Sequence, residues 1–453
     1  MTMRRLIGSL AAALVFALPT LAKAVTVQTL NMGKDAEVWF VPDHTVPVIS
    51  LTAAIPAGSA YDPENKHGLA TFAASMIDEG AGPYNSAGFQ AALSGRAIRF
   101  SATPGRDYMI VSLLTLKENA KDAFRLLGTA LSKPRFDPDA ISRVRAQILA
   151  SLQEQDEYPS SVAAKAFFRT FFAGHPYGHS AEGDPAGVAA ITREDLKNFA
   201  QSHWVRGGVH IAVSGDIDAA TLKTLLATAF SALPDRTPPP IAPITHLGAP
   251  GVQVVAMPVP QPNIVFGLPG LMRNDPDFVT GYVANYILGG GGFASRLTSE
   301  VREKRGLTYS ISTSLNTYRR AGMVAGQVAT KAGSVHQTIA VIRDTLAGFA
   351  ATGPTDKELT DAKTYLTGSF PLAFASNVGI SGQLNAFQNA GLAVNYVQKR
   401  NDMINAVTAD DVKRVAKRLF NANKLTIVVA GTLEGPKETA KPLPGPDKPP
   451  QPA

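Results

Sequence analysis

The sequence predicts an α+β chain of two homologous domains, each a mixed or antiparallel sheet packed with helices. Three observations carry this prediction. Residues 191 to 217 and 407 to 433 align without a gap at a constant offset of 216, and Thr192/Thr408, Asp195/Asp411, Lys197/Lys413, Ala200/Ala416, Ile211/Ile427, Val213/Val429 and Gly215/Gly431 are identical. A proline-rich break, LPDRTPPPIAPIT at 233–245, lies near the midpoint and reads as a linker. Strands and helices come in runs as well as in alternation, which favours α+β over a doubly wound parallel sheet.

Each repeat opens with a Thr N-cap ahead of acidic residues, continues as an amphipathic helix and closes in a strand that stops at glycine. Further strands are legible in VPVISLTAAIP, RDYMIVSLLTL, PNIVFGLPG, LTYSISTSL and GMVAGQVAT, and helices in KDAFRLLGTAL, PDAISRVRAQILASLQEQ and SVHQTIAVIRDTLAGFA. The expected domains are 25–232 and 246–433. HGLATFAASMIDEGAG, at 67–82, reads as one helix: Leu69, Phe72, Ala73, Met76 and Ile77 form a buried stripe, beside a near-featureless one of Thr71, Ala74, Ser75 and Asp78.

The ends and the composition narrow the setting. Residues 1–24 carry Arg4 and Arg5, an apolar run from Leu6 to Leu18 and a small-x-small site at Ala22–Ala24, the pattern of a secretory signal peptide cleaved after Ala24. The run is shorter than the roughly 20 residues of a spanning helix. The expected location is the periplasm, with no membrane association after cleavage. The tail, 434–453, is rich in Pro, Lys and Gly and reads as disordered. The formal charge of +7 falls to +4 without Arg4, Arg5 and Lys23, and the basic residues are dispersed, which argues against nucleic acid. With no cysteine, disulfides, thiolate metal sites and a cysteine nucleophile are excluded.

Few motifs carry chemistry on their own. There is no G-x-S-x-G or S-x-x-K, and LGGGGFASRL at 288–297 lacks the Lys-Ser/Thr of a phosphate loop, leaving a flexible turn able to present backbone N–H groups. His175 and His179 are four apart, but Pro176-Tyr177-Gly178 forbids the helix that would converge them on a metal. His67 reads as a surface or capping residue, and Glu79 and Glu154 as solvated helix ends. Thr71, Ala74 and Ser75 stand at the i, i+3 and i+4 positions where an H-x-x-E-H peptidase holds two zinc-binding histidines and a catalytic glutamate.

GLATFAASMIDEGAG, GHPYG, IAVSGDI and LGGGGFASRLTSEVREKRGLTYSISTSL together resemble the pitrilysin-type inverzincin metallopeptidases, the family of insulysin and the mitochondrial processing peptidase. The resemblance covers nearly all of the mature chain and implies half of a clamshell. It also implies a departure: Thr71, Ala74 and Ser75 replace His, Glu and His, and Ser151, flanking a stripe of Ile141, Val144, Ile148 and Leu152, replaces the third ligand, a Glu. These residue types cannot hold zinc, and Ala74 cannot act as a base. The implied chain binds no metal, carries no catalytic residue of its own, and pairs with a homologous subunit that holds the zinc.

The family's substrate-holding Arg and Tyr match Arg302 and Tyr309, with Gly289, Gly290, Gly291 and Gly292 in the place of a substrate loop. Without the resemblance, Tyr309 would share a strand face with Leu307, Ile311 and Leu315 and read as core, and Arg302 as a solvated helix residue. The implied function is the non-catalytic, substrate-binding subunit of a periplasmic heterodimeric zinc peptidase acting on unfolded peptides. The alternative is a stand-alone peptide-binding or scaffold protein.

Overall fold

The computed structural model describes residues 26–31 and 37–433; the expected signal peptide, 1–24, and the proline-rich tail, 434–453, lie outside them. Eleven strands form two main sheets. The first contains β1 (Gln28–Asn31), β2 (Glu37–Pro42), β3 (Val48–Ile55), β4 (Arg99–Pro104), β5 (Met109–Leu116) and β6 (His210–Gly215), in the order β1-β2-β6-β3-β5-β4. The second contains β7 (Gly251–Val255), β8 (Asn263–Pro269), β9 (Ile311–Thr317), β10 (Gly322–Ala329) and β11 (Thr426–Ala430), in the order β7-β11-β8-β10-β9. The sheets share one topology, with β1 as an extra edge strand. Each is mixed, with a single parallel pair, β2 with β6 and β7 with β11.

The repeat seen in the sequence is a repeat of backbone conformation. Thr192 Oγ1 accepts from Asp195 N while the Asp195 carboxylate accepts from Thr192 N, and Thr408 and Asp411 form the same capping box. Both strands end at glycine for a steric reason. Gly215 and Gly431 adopt φ of +146° and +145°, and a Cβ on either would collide with Val48 or Pro262.

Strand alternation sorts side chains between two faces of each sheet. On β3, Ile49, Leu51, Ala53 and Ile55 face a core built with the helices Ala120–Ser132 and Ala219–Phe230 of the same half. On β8, Ile264, Phe266 and Leu268 face the equivalent core, with Val335–Thr352 and Ala409–Leu419.

The opposite faces are covered by exchange. The helix Pro159–Phe171, from the first half, lies on the second sheet, where Ala163, Ala166, Phe167 and Phe171 pack with Val265, Met323, Val428 and Ala430. Gly267 is the seat for Phe167, whose ring tip would stand 2.5 Å from any Cβ there. The helix Asn377–Asn389, from the second half, lies on the first sheet. Ile380, Leu384 and Phe387 meet Trp39, Val41 and Ala212. Alongside them Ser381 Oγ bonds Ser50 Oγ (2.9 Å) and Thr52 Oγ1 (3.1 Å), Ser214 Oγ donates to Asn377 Oδ1 (2.6 Å), and Asn385 Nδ2 donates to His210 O (2.8 Å). The proline-rich stretch is tied down too: Ile241 is buried beside the 159–171 helix, and His175 Nε2 bonds Ala242 O at 2.9 Å.

The 67–82 segment is a shorter helix than its pattern suggests, Leu69–Ser75, and it closes in tightened turns from Ile77 N to Ala74 O and Glu79 N to Met76 O. Its cap is Asp62, whose carboxylate accepts from Gly68 N and Ala70 N at 2.7 Å each.

Truncating Phe167 to Ala removes the centre of one exchanged seam and is expected to cost roughly 3–5 kcal/mol in urea unfolding. A second expectation concerns acid. His203, packed between Tyr61 and Phe199, is pushed down to about 4 by burial. A base depressed in the folded state binds fewer protons than in the unfolded chain, so its contribution is present above pH 6.5 and lost as pH falls toward 4. His203→Phe should flatten that loss, of order 3 kcal/mol, in stability measured against pH.

Candidate functional site

Two groups of residues were picked out by sequence, one in each half. In the first, Thr71 and Ala74 are buried and Ser75 half-buried. The Thr71 hydroxyl donates to Ala181 O at 2.6 Å, and the Ser75 hydroxyl to Thr71 O at 2.9 Å. Ala74 has no donor atom. Two neutral hydroxyls already committed to carbonyls and one methyl do not fit zinc, which takes imidazole, carboxylate or thiolate. Ser151 is exposed on the helix Pro138–Glu157, whose Ile141, Val144 and Leu152 are buried and whose Ile148 is half-buried.

The neighbouring charged groups serve structure. Glu79 is not solvated: it is gripped by Arg143 (2.9 Å to one oxygen) and by the Ser86 hydroxyl at 2.5 Å, and the Arg143 hydrogen bond holds its pKa below the usual range. That pair fastens the end of the 69–75 segment to the 138–157 helix. Glu154 is exposed, as expected. His67 stacks on His179 with ring centroids 4.3 Å apart and its Nδ1 meets Asp184 at 3.1 Å, so the capping role falls to Asp62 instead. His175 and His179 flank the single turn Pro176–Gly178.

The second group is arranged differently. Arg302 lies on a π-helical stretch, Thr298–Glu303, closed by a Lys304 N to Ser299 O bond of 3.0 Å. Gly306, at φ +60°, then reverses the chain. Thr308 Oγ1 bonds Ala329 O at 2.7 Å, and β9 begins only at Ile311. Tyr309 falls in this turn rather than in the strand, and is 86% exposed while Leu307 and Ile311 are buried. The core reading of Tyr309 is therefore overturned. Arg302 forms no ion pair or side-chain hydrogen bond among the described residues; its guanidinium lies 4.5 Å from the ring of Phe293.

Phe293 was missed by sequence reasoning. It is 71% exposed, directly after the four glycines, and a large aromatic in a loop of small residues was the available signal. The glycine stretch is a packed turn more than a flexible one. Gly289, Gly290 and Gly291 have neighbours within 3.0 Å of any Cβ, and Gly291 N bonds Tyr286 O at 2.8 Å. Gly292 is at φ +57° and sets the direction of Phe293. The structure thus brings together Phe293 and Arg302, and leaves Tyr309 free to solvent across the Gly306 turn.

These features define a class: a duplicated α+β chain with exchanged helices, whose residues at the first site do not suit a metal. The comparisons place it further. Residues 38–184 match the model of the insulinase domain (peptidase family M16) and residues 190–366 that of the peptidase M16 inactive domain. A crystal structure of a peptidase M16 inactive domain from Pseudomonas fluorescens superposes with a TM-score of 0.85 at 30% identity, covering 90% of this chain and 98% of that one. A Helicobacter pylori protein named non-peptidase homolog YmxG is 26% identical over 90% of this chain and 94% of its own length. An uncharacterized zinc protease of Streptomyces coelicolor is 28% identical over 64% of each. The chain belongs to the insulinase family, peptidase M16, as a non-catalytic homologue.

Gly306→Ala tests the turn that exposes Tyr309. No atom lies within 4 Å of a Cβ at this position, so the penalty is conformational alone, about 1–2 kcal/mol in chemical unfolding.

Proposed function

We propose that this chain is the non-catalytic, substrate-binding subunit of a periplasmic heterodimeric zinc peptidase acting on unfolded peptides, whose zinc is held by a homologous partner carrying H-x-x-E-H. The observation that carries this reading is the contrast between the two groups. At the first, hydroxyls are committed to carbonyls; at the second, an arginine on a π-helical stretch, with no ion pair among the described residues, stands beside an exposed phenylalanine, and an exposed tyrosine follows on the next turn. Arg302 can give directed hydrogen bonds to a peptide carbonyl or carboxylate. Tyr309 can donate to an oxyanion as it develops at the partner's metal.

The test mixes the purified chain with an H-x-x-E-H homologue from the same organism and follows peptide cleavage, with and without chelator. Chelator-sensitive activity absent from either chain alone is expected. Tyr309→Phe and Arg302→Ala should each lower kcat/KM of the mixture by roughly 10²–10³ without affecting folding. Full activity from the partner alone sinks the proposal. Weakened peptide binding in these variants with cleavage unchanged would favour the stand-alone binding protein.

A further inference from the structure

A cavity of about 720 Å³ opens where the two halves join, at the opposite end of β9 from the Arg302–Tyr309 turn. It lies where the β9–β10 hairpin meets the β4–β5 hairpin and the end of the exchanged 377–389 helix. The hairpin tips are locked together: Arg319 N donates to Asp107 Oδ2 at 2.9 Å, and the Tyr177 hydroxyl donates to Asp107 Oδ1. Asp107 is the one carboxylate among the lining residues and both its oxygens are engaged. Three arginines, Arg273, Arg319 and Arg320, line the same space, and none forms an ion pair among the described residues. Arg320 is exposed and its side chain has no hydrogen bond there. Arg319 reaches the Tyr61 hydroxyl at 3.3 Å and stands 5.5 Å over the Tyr108 ring.

The same cavity carries an acceptor in need of a donor. His210 is oriented by a chain of amides. Asn389 Nδ2 donates to Asn385 Oδ1 at 3.0 Å, which leaves Asn389 Oδ1 to accept from His210 Nδ1 at 2.8 Å. The proton is therefore on Nδ1 and the Nε2 lone pair is uncommitted among the described residues. Burial holds the imidazolium form down, which keeps that lone pair available at neutral pH.

Guanidinium forks recognise carboxylates in two-point fashion, and an imidazole lone pair recognises N–H. We propose that this cavity binds a molecule presenting a carboxylate beside an N–H donor, either a free α-amino acid or the C-terminal residue of a peptide. Arg319 and Arg320 take the carboxylate; His210 Nε2 takes the N–H. The volume suits a few residues, not an isolated small ion. The inference uses only this chain and does not rest on a partner subunit.

The experiment is calorimetric titration of the purified chain, without partner, against four probes: N-acetyl-trialanine with a free carboxylate, the same peptide as its C-terminal amide, free alanine, and inorganic phosphate. The free-carboxylate peptide or alanine should bind, and whichever binds more tightly identifies the source. The amide should bind at least about ten-fold more weakly. Arg320→Gln, which removes no internal contact, should weaken the carboxylate probe by a similar factor; Lys357→Gln, an equal charge change on an exposed helix, should leave it unaltered. Three outcomes overturn the proposal: no heat from any probe at millimolar concentration, phosphate binding as tightly as the best carboxylate probe, or affinity unchanged in both Arg320→Gln and Arg319→Gln.

Discussion

The exchange of helices between the two halves is the constraint on which the rest of the structure depends. A sheet whose helices cover one face leaves the other in water, and here each half hides that second face with a helix from the other half. The helix Pro159–Phe171 and the helix Asn377–Asn389 are therefore as much a part of the opposite domain as of their own. The hairpin tips that meet at Asp107 and Arg319 lie where the halves are clasped in this way. The cavity beside them needs both halves, because the second supplies its arginines and the first supplies His210 and Asp107.

This arrangement accounts for what survived and what was lost at the degenerate site. Leu69, Phe72 and Ala73 belong to the core of the first half, and Asp62 and the Glu79–Arg143 pair fasten their helix at both ends. Ala74 joins that core as a buried methyl, and Thr71 and Ser75 satisfy their hydroxyls on nearby carbonyls, so the space is filled without a metal ligand. A segment can thus retain the packing text of a peptidase while the letters that would bind metal disappear. The Arg302 turn shows the reverse pattern: its packing partners Val301, Leu307 and Ile311 are ordinary core, while Arg302, Phe293 and Tyr309 contribute little to stability where they stand.

The legible parts of the sequence were those with a strong local rule. The capping boxes at Thr192 and Thr408, the glycines at 215 and 431, and the buried stripe of the 138–157 helix follow from hydrogen bonding and periodicity over a few residues. The two exchanged helices were not read as helices at all, because their covered faces are set by a distant sheet. Phe167 and Phe171 give a clear stripe only once Val265 and Gly267 are known to face them, and Ser381 and Asn385 look like surface residues until Ser50 and Thr52 are placed opposite. Tyr309 misled for a related reason: alternation with Leu307 and Ile311 suggested one strand, but the Gly306 reversal and the Thr308 bond to Ala329 carry it outward before the strand begins.

The two seams differ in chemistry, apolar on one sheet and, on the other, apolar contacts flanked by buried hydroxyls and amides. That difference matters for a chain containing two copies of one fold. Were the 377–389 helix to settle on the second sheet, Ser381 and Asn385 would meet Val265 and Val428 and their polar groups would be stranded; Phe167 placed over Ser50 and Thr52 would strand the sheet's hydroxyls instead. Divergence between the copies has in effect given each helix an address, so that newly made chains do not fold symmetrically or knit together with their neighbours.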